Sequence, residues 1–282
     1  MQMPSRLGVL FNGAALLIVG ASLVGVVRYT FLADDIAACS TRYAHGTQFS
    51  LARPGGELLT PVDLQARSAG TDWGLIENTR VIEAHGGSAK QAIEVRFTPA
   101  KASTTPADGK MGMGFSWMPK SAGKPAAACL TYSVFLSKDF DFAKGGRLPG
   151  FVASAGDQDA TAGTVSSRIA WRESGGLELR AQIADWLEPR RVAGDKPYIL
   201  PRGQWVALEQ EVVLNTLGAK NGALRVWADG ALILEKTGLV IREKAQTQIT
   251  GVLAETTLST LTGAPLPKDQ KILLSPPELR WQ

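Results

Sequence analysis

The sequence predicts an all-β protein: a jelly-roll-type β-sandwich of antiparallel sheets carried behind an N-terminal transmembrane helix. Three observations predict it. Short runs of alternating apolar and polar residues recur along the chain, punctuated by glycine, proline and aspartate turns, while windows of helical periodicity are few. Asp229-Gly230 falls between two such runs, and that pair tolerates the positive φ angles of a tight hairpin turn. One continuous apolar stretch, residues 8–27, stands apart from everything else. The organisation that follows is a membrane anchor over residues 1–32, a linker leading into the fold over 33–74, and a sandwich domain over 75–282.

Residues 8–27 hold Asn12 as their only strongly polar member and are bracketed by Arg6 and Arg28. As a helix rising about 1.5 Å per residue they reach roughly 30 Å, the thickness of a bilayer's hydrocarbon core. A cleaved signal peptide is the competing reading, but its apolar region typically has only about 7–15 residues, and no small-x-small site follows directly here. Ile36-Ala37-Ala38-Cys39 faintly resembles a lipoprotein cleavage box, yet Asp34 and Asp35 intervene where that pattern has no acids. An uncleaved anchor is the expectation. Arg6 against Arg28 leaves the positive-inside count nearly tied, so charge alone does not orient it.

Composition narrows the partners. Hydrophobic residues make up 45% of the 282, enough for a core. The net charge of +4 comes from 30 basic and 26 acidic residues that are interspersed, and a nucleic-acid binder is expected to show a basic stripe instead. Nucleic acid is therefore not an expected partner. Cys39 and Cys129 are the only cysteines and His45 and His85 the only histidines, with no zinc-type spacing, so neither a metal nor another cofactor is expected. Outside the cytoplasm a Cys39–Cys129 disulfide is open, with two free thiols as the alternative. Asp157 and Asp159 lack the rest of a calcium loop and read as turn residues.

Taken in order, Arg53-Pro54-Gly55-Gly56 and Thr60-Pro61 are turn signals. Residues 81–84 and 92–97 read as two strands joined around His85-Gly86-Gly87-Ser88, which gives His85 a structural place. Residues 99–110 are polar, contain Pro106 and Gly109, and read as a loop. Met111-Gly112-Met113-Gly114-Phe115 reads as a strand with close backbone packing, because Trp117 replaces the glycine a phosphate loop needs and no helical pattern follows. In 130–137, Leu130, Tyr132, Val134 and Leu136 share one face, with Thr131, Ser133, Phe135 and Ser137 on the other. In 166–172, Ile169 and Trp171 point one way, and Ser166, Arg168 and Arg172 the other. Leu177, Leu179, Ala181 and Ile183 oppose Glu178, Arg180 and Gln182; Val206, Leu208, Val212 and Leu214 oppose Glu209 and Glu211. A solvated outer face is the ordinary reading of such polar rows.

The stretch from Tyr132 through Lys144-Gly145-Gly146-Arg147-Leu148-Pro149-Gly150, followed by Ser166-Ser167-Arg168 and Trp171-Arg172, resembles polysaccharide lyase family 14, the alginate and glucuronan lyase-like proteins. The similarity continues through residues 205–215 and 225–230, and loosely to 267–270. The resemblance implies a sandwich whose concave face holds an extended acidic sugar chain. Carried over residue by residue, the family's lysine falls on Lys144 and its Ser-x-Arg pair on Ser166 and Arg168, about 7 Å apart on one strand face. Arg168 would neutralise a uronate carboxylate so that the neighbouring proton can leave, as an oxyanion hole does for its oxygen. Ser166 would hydrogen-bond the sugar, Lys144 would add charge or move a proton, and Arg147 would bind another carboxylate.

The match departs on the next strand, where the family's tyrosine pair falls on Arg180 and Gln182. Arginine stays protonated and glutamine does not titrate, so these two can bind substrate but not relay its proton. Tyr132 and Tyr198 are the remaining substitutes. Three readings follow: a membrane-anchored binder of acidic, uronate-containing polysaccharide, an active β-eliminating lyase with rearranged acid and base, and a non-catalytic scaffold subunit with protein partners in a membrane complex. For the first two the partners are acidic polysaccharide and, through residues 8–27, the membrane. The resemblance to a carbohydrate-active domain favours a bacterial inner-membrane protein, single-pass, with its C-terminal domain in the periplasm.

Overall fold

Seventeen strands carry almost all of the regular structure in the computed structural model, which describes residues 36–68, 72–87, 89–98, 110–155, 165–186, 188–194, 197–260 and 266–282. The expected anchor at 8–27, Asp157 and Asp159, and the expected loop at 99–109 lie outside the described residues. Among the described residues, no helix is long and apolar enough to cross a membrane. The unit running Ala37–Gln282 takes in most of the 33–74 stretch read as a linker.

The strands are β1 (His45–Gln48), β2 (Asp72–Trp73), β3 (Thr79–Glu83), β4 (Gln91–Phe97), β5 (Lys110–Trp117) and β6 (Ala127–Leu136). Next come β7 (Gly146–Ser154), β8 (Val165–Trp171), β9 (Leu177–Gln182), β10 (Arg190–Ala193) and β11 (Trp205–Val213). The last are β12 (Gly222–Ala228), β13 (Ala231–Leu239), β14 (Gln248–Leu253), β15 (Thr256–Ser259), β16 (Gln270–Leu274) and β17 (Glu278–Trp281). All pairings among them are antiparallel.

One sheet runs β13-β12-β11-β6-β16-β4-β3, with β17 sharing the β16 edge of β6 and β1 added to β17. The other runs β10-β9-β8-β7-β14-β5-β15, with β2 on β5. Their inner faces make the core. Leu130, Tyr132, Val134 and Leu136 are buried on β6, as the alternation requires, and Ile169, Trp171, Leu179 and Ala181 are buried on β8 and β9. Two polar bridges join the sheets inside: Gln210 Nε2 donates to Ser167 O and Oγ at 2.8 and 2.7 Å, and the Tyr132 hydroxyl donates to Pro149 O at 3.1 Å. Buried polar groups of this kind are tolerated because they are paired. The fold is thus an all-β antiparallel sandwich.

Local chemistry explains the joints. Asp229 and Gly230 have φ of 48° and 80°, and Ala228 faces Ala231 across the hairpin, the geometry of a type I′ turn. On β5, a Cβ at Gly112 would stand 2.0 Å from Thr256 O, so glycine is what lets the two strands close up. Thr60-Pro61 opens a helix, Pro61–Arg67, instead of a turn. Thr60 Oγ1 accepts from Asp63 N, the Asp63 carboxylate accepts from Thr60 N at 2.8 Å, and proline fits the first helical position.

The segment before β1 is strapped across the outer face of the first sheet. Cys39 and Cys129 form a disulfide, and Ser40 N and Oγ donate to the Glu209 carboxylate at 2.8 and 2.9 Å. Arg42 and the Tyr43 hydroxyl both reach Glu211, which Arg225 also contacts from β12. Glu211 is therefore fully buried although β11 alternation puts it on the outer face.

Candidate functional site

The outer face of the second sheet gathers most of the residues the sequence singled out. On β8, Ser167, Ile169 and Trp171 turn into the core, which leaves Ser166 and Arg168 half-buried on the outside. On β9, Leu179 and Ala181 turn inward and Arg180 and Gln182 outward. The antiparallel register sets Arg168 directly opposite Arg180 and Ser166 opposite Gln182. β10 extends the row, because Arg191 lies opposite Arg180. Facing pairs sit about 4.5–5.5 Å apart at Cα, so three guanidiniums line up across three strands. On the other side of Arg168 stands Gly150 of β7, where a Cβ would come within 2.6 Å of the Arg168 Cα.

A defect in the strand ladder supplies the counter-charge. Pro149 has no N–H to donate, and β7 slips its register between Arg147 and Gly150. On the neighbouring line, β14 ends at Leu253 and β15 starts at Thr256, so Ala254 and Glu255 occupy the break. Bulges of this sort re-aim side chains beside functional sites. Here the break delivers the Glu255 carboxylate, 6% exposed, to two arginines: Arg168 Nη1 donates to it directly, and Arg147 Nη1 lies at 3.5 Å. A second buried carboxylate, Glu178, takes Arg172 at 2.5 Å and Arg191 at 3.5 Å. Burial pulls the Arg168 guanidinium below the ordinary arginine value, with Arg147 adding to that and Glu255 opposing it. Arg180 is lowered too, by burial first and then by Arg147 and Arg191.

Lys144, read from the sequence as a catalytic residue, does not join this row. It lies in the turn ahead of β7, and its ammonium sits 2.5 Å from Glu173, in the turn after β8. Tyr132, one possible proton-transfer group, points into the core, where burial raises its pKa well above the usual tyrosine range. Tyr198, the other, is raised to about 12 by burial and by Asp229, which its hydroxyl faces at 3.4 Å. Tyr43 is engaged with Glu211 on the opposite sheet, His45 stacks on Trp281, and His85 lies in the β3–β4 turn. Cys39, Cys129 and Glu209 place their ligand atoms within 4.8 Å of one another, but the two sulfurs are bonded to each other. The sequence reading missed Glu255 and Arg191. Glu255 is brought in by a ladder defect that no local pattern announces, and Arg191 could have been found from the alternation of a short arginine-bearing strand.

The face can bind anions and offers hydroxyl partners in Ser166 and Gln182. A family model for polysaccharide lyase 14 matches residues 86–258. A search of curated proteins found no match. Among solved structures, the chain is similar to a PL-14 alginate lyase from Aplysia kurodai, at 20% identity and TM-score 0.62, over 75% of this chain and 89% of that one. It is similar to an alginate lyase from Chlorella virus at 19% identity and TM-score 0.57, over 72% and 89% respectively. An endo-β-1,4-glucuronan lyase from the fungus Trichoderma reesei aligns at 12% identity and TM-score 0.54, over 85% and 96%. These likenesses share the sandwich fold, and with more than half of its length matched by the family model, the chain belongs to the polysaccharide lyase 14 family.

Proposed function

We propose that this chain holds acidic, uronate-containing polysaccharide on the arginine face of a jelly-roll-type sandwich without cutting it. The observation that carries this reading is the cross-strand pair Arg168–Arg180, with a guanidinium at the position that the family resemblance assigns to a proton-transfer tyrosine. β-Elimination requires a base for the proton beside the carboxylate and an acid for the departing glycosidic oxygen. Arginine stays protonated throughout the physiological range and cannot serve as that base. The described tyrosines spend their hydroxyls on other partners, Tyr43 on Glu211, Tyr132 on Pro149 O and Tyr198 facing Asp229, while His45 stacks on Trp281 and His85 lies in the β3–β4 turn. That solved structures of similar fold include a PL-14 alginate lyase and a glucuronan lyase supports uronate polymers as the ligand class.

The same proposal places the domain on the periplasmic side of a bacterial inner membrane, held by residues 8–27. The length of that apolar run supports the anchor. The Cys39–Cys129 disulfide suits an oxidising compartment.

The test takes the full chain in mild detergent and incubates it with alginate and glucuronan. Ultraviolet absorbance follows unsaturated chain ends, and retention on immobilised polymer is measured at rising salt. The expected result is flat absorbance with salt-sensitive retention that disappears in the double variant Arg168→Gln/Arg180→Gln. Growing absorbance that is lost in Arg168→Ala would make the protein a lyase. Neither signal would leave the scaffold reading.

A further inference from the structure

The arginines on this face do not have equal claims on a bound anion. Five guanidiniums share it with two buried carboxylates: Glu255 takes Arg147 and Arg168, and Glu178 takes Arg172 and Arg191. Arg180 lies between these two groups. It makes no ion pair and no side-chain hydrogen bond with any described residue, yet it faces Arg168 on one side and Arg191 on the other. It is half-buried, so water screens its neighbours only in part. The Arg180 pKa is lowered first by burial and then by the like charges of Arg147 and Arg191, with Glu178 opposing them. An anion arriving there neutralises an unpaired guanidinium and relieves its repulsion with two others. An anion arriving at Arg168 must approach the carboxylate already bound to it.

We propose that the glycan's carboxylate seat is Arg180 braced by Arg191, one strand over from Arg168, and that Glu255 fills the Arg147–Arg168 seat as a built-in carboxylate. This rests on the reading of the face as a polyuronate-binding surface. The seat lies about 4.8 Å from Arg168 by strand spacing. Gln182, two residues along on the same face of β9, and Ser166 opposite it then meet the hydroxyls of the adjoining sugar. Glu255 has two consequences: it holds Arg147 and Arg168 in place, and it withholds them from the ligand.

The experiment is calorimetric titration of the full chain, in mild detergent, with tetrameric glucuronate and tetrameric mannuronate at low salt. Arg180→Gln is expected to weaken binding roughly ten- to hundredfold, the loss of a charge-assisted contact. Arg191→Gln weakens it less, and Arg168→Gln leaves it within about threefold, because its charge is already spent on Glu255. Glu255→Gln tightens binding by opening the second seat. Equal or greater loss in Arg168→Gln than in Arg180→Gln, or weaker binding in a folded Glu255→Gln, overturns the assignment. If Glu255→Gln does not fold, as its melting curve will report, the Arg168/Arg180 comparison alone decides. Wild-type protein that binds neither tetramer removes the underlying reading as well, whereas binding that depends on Arg168 and ignores Arg180 removes only this assignment.

Discussion

Glu211 is a carboxylate with no exposed surface, held by Tyr43, Arg42 and Arg225. Burial alone would raise its pKa, but the hydrogen bonds from these three partners outweigh it and leave the folded value below the usual glutamate range. A carboxylate with a depressed folded pKa adds stability that is fully present above the unfolded value, about 4.3, and is lost as pH falls through the folded one. The melting temperature of the wild type should therefore drop on acidification from about pH 6 to about pH 3. In Glu211→Gln that drop should be smaller, and the variant should be less stable at neutral pH by roughly 2–3 kcal/mol, since its partners lose their acceptor. An unchanged acid drop in the variant would mean that Glu211 is not a carboxylate held ionised. Sequence alternation put Glu209 and Glu211 on an outer face correctly. It gave no hint that a segment some 170 positions earlier covers them, because a contact of that range leaves no local periodicity. The same limit hid Glu255, while Ser166, Arg168, Arg180 and Gln182 were legible because strand period and register are local.

Most of the strands were readable as elements for the same reason: on β6, β8, β9 and β11 a two-residue period decides which side chains are buried. Where the reading failed, the signal was present but shared with another structure. Thr60-Pro61 occurs in turns, and only Asp63 three residues after Thr60 marks it as a capped helix start. The strap over the first sheet is an element of a different kind, built from a disulfide and two carboxylates. Closing a loop between residues 90 apart restricts the unfolded chain strongly, so Cys39→Ser/Cys129→Ser should lower stability by roughly 2–5 kcal/mol. Thermal melts of the wild type with and without reductant provide the same comparison in an unmutated chain. Equal melting temperatures in all three samples would show that the remaining contacts to Glu209 and Glu211 hold the segment unaided.

At the scale of the molecule, the two outer faces of the sandwich differ in how their charges are covered. On the first sheet's outer face the strap covers Glu209 and Glu211, while around β4 Arg80, Arg96 and Lys271 gather on buried Glu94. The second sheet's outer face stays partly open, with an excess of guanidinium over carboxylate. A surface of that kind attracts polyanions and discharges them as salt screens it. The family's fold is retained, and under the proposed function the residues of the arginine face hold a polyuronate and do not transfer its proton. Mass spectrometry of a tetrameric uronate recovered after saturating titration of the full chain tests this most directly. Measurable, salt-sensitive binding and an intact tetramer at the end are the expected result. Shorter fragments bearing an unsaturated end, or no binding at any salt concentration, would contradict it.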